Sequence, residues 1–233
     1  LLDPRQMLFL DGLRYSVEMA HLAHTRLRET LYGLTVHRET LEPETLSFSA
    51  AFLDAWSIVD SINRLRCLLH QAPGIKQRSP GLRIFRQKTE VVEDLRNTIQ
   101  HLDQNVPTLL AEKLPVLGVL SWFVTTDPGH LSGFSCALTA GTLRPLKQLP
   151  LVNPCGRLIA PPIDLIELTA GGHSACLSDI MKHVQDLTRQ AEQQLEKQFD
   201  RLPQAGADLF VCVEMAFGGP TSRHPGESSS PEP

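Results

Sequence analysis

The sequence predicts an α+β protein with an N-terminal helical bundle, a small antiparallel β-sheet and a long C-terminal helix that packs back. Three observations predict this class. Apolar residues recur at three- and four-residue steps over residues 4–104. Residues after Pro115 are instead rich in Val, Phe, Trp and Thr, which favour strands. The helical spacing returns from residue 174.

Three helices are expected in the N-terminal half. Asp3 is a suitable capping residue before Pro4, and the apolar spacing that follows predicts a helix over 4–31. The same spacing predicts a second helix over 48–71, which a Pro-Gly pair ends, and a third over 82–104, shortly before another proline.

Strands are expected in the C-terminal half. Residues 118–126 and 133–140 flank an Asp-Pro-Gly turn sequence at 127–129, and this arrangement predicts a β-hairpin. A third strand is predicted over 163–169, directly after two prolines. Residues 208–215 form a candidate last strand.

A fourth helix is predicted over 174–201 from its apolar stripe. The glycines at 171–172 are interpreted as a turn from strand to helix, with anion binding at the helix N-terminus as the alternative. The chain therefore divides into a helical bundle over 1–114 and a strand-containing region over 115–217. Residues 218–233 are rich in Pro, Gly and Ser, which predicts a disordered tail.

Cysteine usage and hydropathy bear on the compartment. Five cysteines are scattered without a C-x-x-C pair, which predicts free thiols in a reducing compartment. No signal-peptide pattern is present at the first residues, and no apolar run approaches the roughly 20 residues that a membrane helix needs. A cytoplasmic protein without membrane contact is therefore expected. The cysteines are Cys67, Cys136, Cys155, Cys176 and Cys212.

One segment of the chain is strongly basic, although the formal net charge is −4. Residues 61–89 contain several Lys and Arg side chains and no acidic residue. Such a patch attracts phosphate, so we expect RNA contacts there, and an ordinary solvated connector is the alternative. The candidate RNA-binding residues are Arg78, Arg83, Arg86 and Lys88.

The third predicted helix contains a motif with chemical potential. Its sequence is Arg96-Asn97-Thr98-Ile99-Gln100-His101. This pattern resembles the R-N-x3-H signature of the HEPN superfamily, helical domains that include many bacterial toxin and defence ribonucleases. The resemblance extends to the preceding helix and covers about a quarter of the chain. It implies a HEPN-like bundle that forms a homodimer and binds or cleaves RNA without a cofactor or metal ion, with Arg96, Asn97 and His101 as site residues.

These residue types suit metal-independent cleavage of RNA. Histidine takes and gives a proton near neutral pH, so the resemblance makes His101 the acceptor of the 2′-hydroxyl proton. The guanidinium of Arg96 keeps its charge and binds phosphate oxygens, while Asn97 orders the site by hydrogen bonds. The 2′-oxygen attacks the adjacent phosphorus and leaves a 2′,3′-cyclic phosphate. DNA lacks the attacking hydroxyl and is expected to resist.

The position of the motif on one continuous helix predicts how it is used. His101 lies about 140° from the centre of the buried stripe, and Arg96 about 80°. His101 therefore faces away from its own core, on the same face as Asn97. The resemblance supplies a second copy of the chain as the partner of this face. A hydrated polar face without a catalytic role is the alternative.

Two functions of other classes stay open. The chain is a non-catalytic protein-interaction module if the motif face binds a protein partner. It is a small-molecule sensor if Trp122, Phe134 and Ile166 line a deep apolar cavity. A zinc site around His173 and Cys176 is not expected, because no second ligand pair stands at a familiar spacing.

Overall fold

The computed structural model describes residues 3–40, 48–127, 132–139, 141, 149–198 and 208–212. These residues form six helices and one antiparallel sheet of four strands. In chain order the elements are α1 (Pro4–Val36), α2 (Ser49–Gln71), α3 (Pro80–Lys88), α4 (Val91–Gln100), α5 (Leu102–Glu112), β1 (Val119–Asp127), β2 (Ser132–Thr139), β3 (Ile163–Ala170), β4 (His173–Cys176) and α6 (Leu177–Gln198). The order of helices, sheet and final helix confirms the predicted α+β class.

The first helix is longer than predicted. A capping box at Asp3 begins α1, as the sequence indicates. The helix then continues to Val36 instead of ending near residue 31. Thr35 is buried, and its hydroxyl donates to the Leu31 carbonyl at 2.9 Å and accepts from Trp122 Nε1 at 2.9 Å. A contact with the sheet therefore stabilises the last turn, and the spacing of α1 alone does not reveal it.

The first two helices run antiparallel and pack closely. Gly12 of α1 lies beside Leu68 of α2, where an added Cβ would stand 3.0 Å from Leu68 Cδ1. Further along, Arg26 of α1 pairs with Asp54 of α2 at 3.3 Å. The predicted helix over 48–71 is confirmed as α2.

The prediction of one continuous helix over 82–104 is wrong, because three shorter helices replace it. The first break lies at Thr89 and Glu90, between α3 and α4. Their carbonyl oxygens accept hydrogen bonds from Arg66 Nη1 at 2.5 Å and 3.0 Å. The same carbonyls accept from the Val92 and Glu93 N–H groups at 3.1 Å, so the guanidinium of α2 binds a tightened turn at the break. This contact between helices is invisible in the apolar spacing.

The second break lies at His101, between α4 and α5. The φ and ψ of His101, −105° and 34°, are not helical, and the Asn105 side chain donates to the Thr98 carbonyl at 3.1 Å. Pro107, which was expected to follow the helix, lies inside α5. His101 is the junction of two helices, so the angle deduced for a continuous helix does not describe its position.

The four strands form a sheet in the order β2-β1-β3-β4, with every neighbouring pair antiparallel. The predicted hairpin is confirmed as β1 and β2, and residues 128–131 of its turn lie outside the described residues. The strand predicted over 163–169 is confirmed as β3.

The interpretation of Gly171 and Gly172 as a strand-to-helix turn is wrong. They form the two-residue turn of a second hairpin, between β3 and β4. Their φ values are +56° and +83°, and a type I′ turn requires this left-handed region at both positions. With only four residues, β4 is too short for an alternating pattern to distinguish it from the start of the following helix.

The motif helix α4 packs against α2 and the second hairpin. Gly171 approaches it so closely that an added Cβ would meet Thr98 Cγ2 at 2.5 Å. His173 Nδ1 also lies 3.8 Å from Asp94 Oδ2. The C-terminal half of the chain therefore helps to position the segment that carries the motif.

One hydrophobic core contains residues of the helices and of the sheet. Helix α6 packs on β3, α3 and α1, which confirms that the final helix packs back. Its predicted residues 199–201 lie outside the described part of the chain, and the division at residue 114 stays a prediction. The largest fully buried side chains are Phe52, Phe85, Leu27, Leu31, Ile58, Ile62, Leu95, Leu120, Ile163, Leu165, Ile166 and Leu168.

Residues 208–212 belong to a separate unit and are neither helix nor strand. The strand expected over 208–215 is therefore wrong for the residues that can be described, while 213–215 and the expected tail at 218–233 lie outside them. All five cysteines are free, as predicted. Within the described ranges, no helix combines the length and the apolar character needed to cross a bilayer.

Candidate functional site

A groove of about 420 Å³ lies between α2, α3 and α4. It collects two of the three motif residues and one of the four basic candidates. The remaining lining comes mostly from one polar face of α2. The lining residues are Asn63, Arg66, Cys67, His70, Gln71, Arg86, Glu93, Arg96 and Asn97.

The polar face of α2 follows from helical spacing. Asn63, Arg66, Cys67 and His70 recur at steps of three and four residues, away from the buried stripe of the same helix. The opposite wall is α4, which runs antiparallel to α2. The antiparallel direction explains why residues far apart in sequence meet across the groove.

Arg96 is oriented by its own chain but keeps donors for a ligand. Its Nε donates to Asp60 Oδ1 at 3.2 Å, and Arg64 Nη2 lies 2.5 Å from Asp60 Oδ2. One carboxylate is thus shared by two guanidinium groups, which leaves net positive charge. Neither Nη1 nor Nη2 of Arg96 has a hydrogen-bond partner among the residues that the structure describes. These two nitrogens form the fork that suits a phosphate.

His101 does not line this groove in a single chain. It is exposed at the junction of α4 and α5, one helical turn beyond Asn97. Its N–H donates to the Asn97 carbonyl at 3.1 Å, and its own carbonyl accepts from Gln104 and Asn105 at 3.0 Å and 2.9 Å. The imidazole is therefore presented to solvent beyond the end of the groove.

The four basic candidates diverge around α3. Arg86 lines the groove, whereas Lys88 lines a second cleft on another face of the helix. Arg83 is exposed on α3, and Arg78 is exposed in the turn before it. The structure therefore does not bring these four side chains together, and only Arg86 shares a surface with Arg96.

Arg86 is held by a relay of hydrogen bonds. Gln77 Nε2 donates to the Leu69 carbonyl at 3.0 Å, and Gln77 Oε1 accepts from Arg86 Nη2. The same Arg86 Nη2 lies 3.4 Å from His70 Nδ1. The guanidinium is therefore fixed at the α2 wall before any ligand arrives.

The middle of the groove is close to neutral. Arg66 Nη2 lies 3.6 Å from Glu93 Oε2, and Arg66 Nη1 is committed to the backbone carbonyls at the first break. Arg66 is thus a structural residue as well as a lining residue.

Sequence reasoning missed His70 and Arg66 as parts of the site. Both lie in the segment without acidic residues and on the polar face of α2. These two features of the sequence could have indicated them as site residues. Their contact with α4 depends on how α2 and α4 pack together, and no local sequence pattern predicts this packing.

The second cleft, of about 350 Å³, holds paired charges. Lys182 Nζ lies 3.2 Å from Asp164 Oδ2 and 3.4 Å from Asp179 Oδ1, and Asp179 also accepts from Arg157. Burial raises the pKa of the Cys176 thiol to about 11, so this thiol is protonated and weakly nucleophilic at neutral pH. The lining residues are Lys88, Val91, Ser174, Ala175, Cys176, Asp179, Ile180, Lys182 and His183.

The three side chains that a sensor cavity would need, Trp122, Phe134 and Ile166, pack against other residues of the chain. Trp122 and Ile166 are buried in the core, and Phe134 is 38% exposed, with Arg38 Cζ 4.2 Å from its ring centroid. Neither of the two clefts is lined by any of the three. Among the described residues, no group of three His, Cys, Asp or Glu side chains is placed to hold a metal ion.

Comparison of the chain with protein-family models, curated proteins and solved structures found no match. The resemblance to the HEPN superfamily therefore stays a prediction that rests on the motif from Arg96 to His101. The groove and the chemistry of the side chains around it are the structural features that bear on function.

Proposed function

We propose that this chain is a HEPN-like cytoplasmic protein that binds RNA in the groove between α2 and α4 and cleaves it without a metal ion. The observation that carries the proposal is the position of Arg96. It lines a basic groove with Arg86 and His70, and its two terminal nitrogens have no partner among the described residues. A phosphate at that position completes the hydrogen bonding of the guanidinium.

The chemical roles follow from the residue types of the motif. Arg96 holds a phosphate and offsets the charge that develops on it, and Asn97 donates from the neighbouring position. His101 accepts the 2′-hydroxyl proton, and the 2′-oxygen displaces the 5′-oxygen to form a cyclic phosphate. The imidazole returns a proton to the leaving oxygen, so no metal-bound water is needed.

The proposal includes a second copy of the chain, because His101 lies outside the groove of its own chain. An exposed apolar stripe on α1 supports this part. Leu8, Tyr15, Met19 and Leu22 recur at steps of seven, four and three residues along one face and are 73%, 42%, 44% and 60% exposed. A stripe with this spacing suits pairing with the same stripe of a second copy.

The stripe is also connected to the motif. Arg64 Nη1 lies 3.8 Å from Met19 Sδ, Arg64 also binds Asp60, and Asp60 binds Arg96. If two copies met at α1, the motif of each copy would therefore lie near the interface. A two-fold axis there would make both motifs available to one strand of RNA.

Incubation of purified protein with end-labelled RNA in EDTA tests the proposal. We expect cleavage by the wild type and at least about a hundredfold slower cleavage by His101→Ala, since removing a general base typically has this effect. His37→Ala is the matched control, because His37 is likewise an exposed residue at the end of a helix. Intact RNA with every variant, or equal cleavage by all, would contradict the proposal.

A non-catalytic interaction module is the second candidate, and the pairing of Arg96 with Asp60 favours it. An arginine already paired within its own chain has an adequate structural reason to be present. The second function replaces the first if the wild type neither binds nor cleaves RNA and the motif face binds a protein.

A further inference from the structure

We propose that the groove has a second phosphate subsite, formed by Arg86 and His70, so that its ligand is a single strand several nucleotides long. This inference rests on the proposed function. It adds the size of the ligand and a residue, His70, that the motif does not include.

The first support is the preorganised guanidinium of Arg86. Its Nη2 forms two hydrogen bonds within the chain, one to Gln77 Oε1 and one to His70 Nδ1. Its Nε and Nη1 have no hydrogen-bond partner in the part of the chain that the structure describes. An arginine that is fixed on one side and open on the other loses little side-chain entropy when it binds an anion.

The second support is the tautomer that this contact gives His70. Arginine has no acceptor, so Nδ1 of His70 must accept from Arg86, and the proton of the neutral ring lies on Nε2. The exposed imidazole therefore offers an N–H donor on the side of the ring that faces away from the guanidinium. The guanidinium suits the non-bridging oxygens of one phosphate, and the imidazole N–H suits another oxygen of the same strand.

The third support is the distribution of charge along the groove. At one end, Arg64 and Arg96 share the single carboxylate of Asp60, which leaves net positive charge. At the other end, Arg86 has no carboxylate partner among the described residues. Between them, Arg66 and Glu93 offset each other. The groove thus has two cationic centres that are separated by a neutral pair.

The distance between the centres determines the length of the ligand. Asp60 and His70 lie ten residues apart on α2, which corresponds to about 15 Å along the helix axis. This separation exceeds the spacing of neighbouring phosphates in one strand, so the two centres contact phosphates that are not adjacent. Apart from His70, no lining residue is aromatic, and contacts to the backbone rather than base stacking are expected.

Fluorescence anisotropy with a labelled 2′-O-methyl hexanucleotide, which cannot be cleaved, tests the subsite across a series of salt concentrations. We expect Arg86→Gln to weaken binding roughly tenfold and to lower the salt slope by about one, as the loss of one phosphate contact does. His70→Ala is expected to weaken binding severalfold. Arg96→Gln and Arg86→Gln are expected to be additive, because the two centres do not touch.

The controls separate this inference from the function on which it rests. Arg189→Gln, at an exposed position of α6, makes the same change of net charge away from the groove, and thermal unfolding by circular dichroism verifies that each variant is folded. If the wild type binds and Arg86→Gln matches Arg189→Gln, the subsite is wrong and the proposed function stands. If the wild type does not bind the hexanucleotide, both are wrong.

Discussion

His24 of α1 shows how a single partly buried side chain links the fold to pH. Its Nε2 is buried and has no hydrogen-bond partner among the described residues. Burial, then the charges of Arg28 and His21, lower the pKa of His24 from 6.5 to about 4. Of the other charged groups that act on it, Asp164 raises this pKa and Lys182 lowers it. The imidazole is therefore neutral in the folded protein at pH 7.

The depressed pKa of His24 predicts a loss of stability in acid. The unfolded chain binds the proton more tightly, so this contribution is present above pH 6.5 and is lost as the pH falls toward 4. Between pH 7 and pH 5 we expect a loss of about 2 kcal/mol from this residue. Urea unfolding at both values measures it, with His24→Gln showing the smaller decrease.

His37→Gln is the control for this prediction, because His37 is exposed at the end of the same helix. It is expected to keep the full decrease in stability between pH 7 and pH 5. If His24→Gln and His37→Gln lose the same free energy of unfolding, His24 is not the group that titrates.

Individual site residues differ in how far the sequence reveals them. Arg96 and Asn97 could be found from the motif, because the pattern itself contains them. Arg66 and His70 could not, because their role depends on which face of α2 meets α4. The predicted position of His101 is wrong because it assumes a continuous helix. The helix breaks at His101, where the Asn105 side chain donates a hydrogen bond to the Thr98 carbonyl.

At the scale of elements, local signals and tertiary contacts explain different parts of the fold. The spacing of α2 and the turn between β1 and β2 are local, and both elements are confirmed. The break between α3 and α4 is bound by Arg66, a residue of another helix, and no pattern within 82–104 indicates this contact. Short strands such as β4 are missed because four residues contain too little pattern.

The contact between the second hairpin and α4 gives a prediction at this scale. In Gly171→Ala the new Cβ would stand 2.5 Å from Thr98 Cγ2 and 2.7 Å from Thr98 Oγ1, at a residue with a φ of +56°. We expect a loss of about 2–4 kcal/mol, from the close contact together with the backbone strain. Chemical denaturation of the two proteins measures it.

Gly172→Ala is the matched control, since it changes the neighbouring residue of the same turn. Its φ is +83°, but nothing lies within 4 Å of an added Cβ. Its free energy of unfolding is expected to fall by only about 1 kcal/mol, which is the cost of the backbone strain. Equal losses in the two variants would show that the approach of the hairpin to α4 does not matter for stability.

At the scale of the whole molecule, the sheet and the helices act as one support for the motif. They share a hydrophobic core, and α4 is held by α2 on one side and touched by the second hairpin. The α+β class was predictable because composition and periodicity change along the chain. The groove was not predictable, because it exists only where three helices meet.

The proposed pairing of two copies gives a prediction at this scale. Leu22→Glu places a charge in the exposed stripe of α1, where burial against a second copy would leave it unpaired and costly. The variant is expected to keep its fold, because Leu22 is 60% exposed and is not part of the hydrophobic core. Light scattering is expected to give a dimer for the wild type and a monomer for Leu22→Glu, with RNA cleavage lost in the variant.

Leu158→Glu is the control for this change, because Leu158 is 95% exposed in a loop far along the chain from α1. It is expected to stay dimeric and active. A wild type that is monomeric while it cleaves RNA would remove the second copy from the account and leave the groove of one chain to act alone.

In the proposed mechanism, Arg96 and His101 direct a ribose hydroxyl against its own phosphate. The most direct measurement is the cleavage assay in EDTA with a labelled DNA strand that contains one ribonucleotide. We expect the wild type to make one cut, on the 3′ side of that ribose, which leaves a 2′,3′-cyclic phosphate end, and His101→Ala to make almost none. A cut that persists when the ribose is 2′-O-methylated, or an all-RNA strand that stays intact with dimeric wild type, would contradict it.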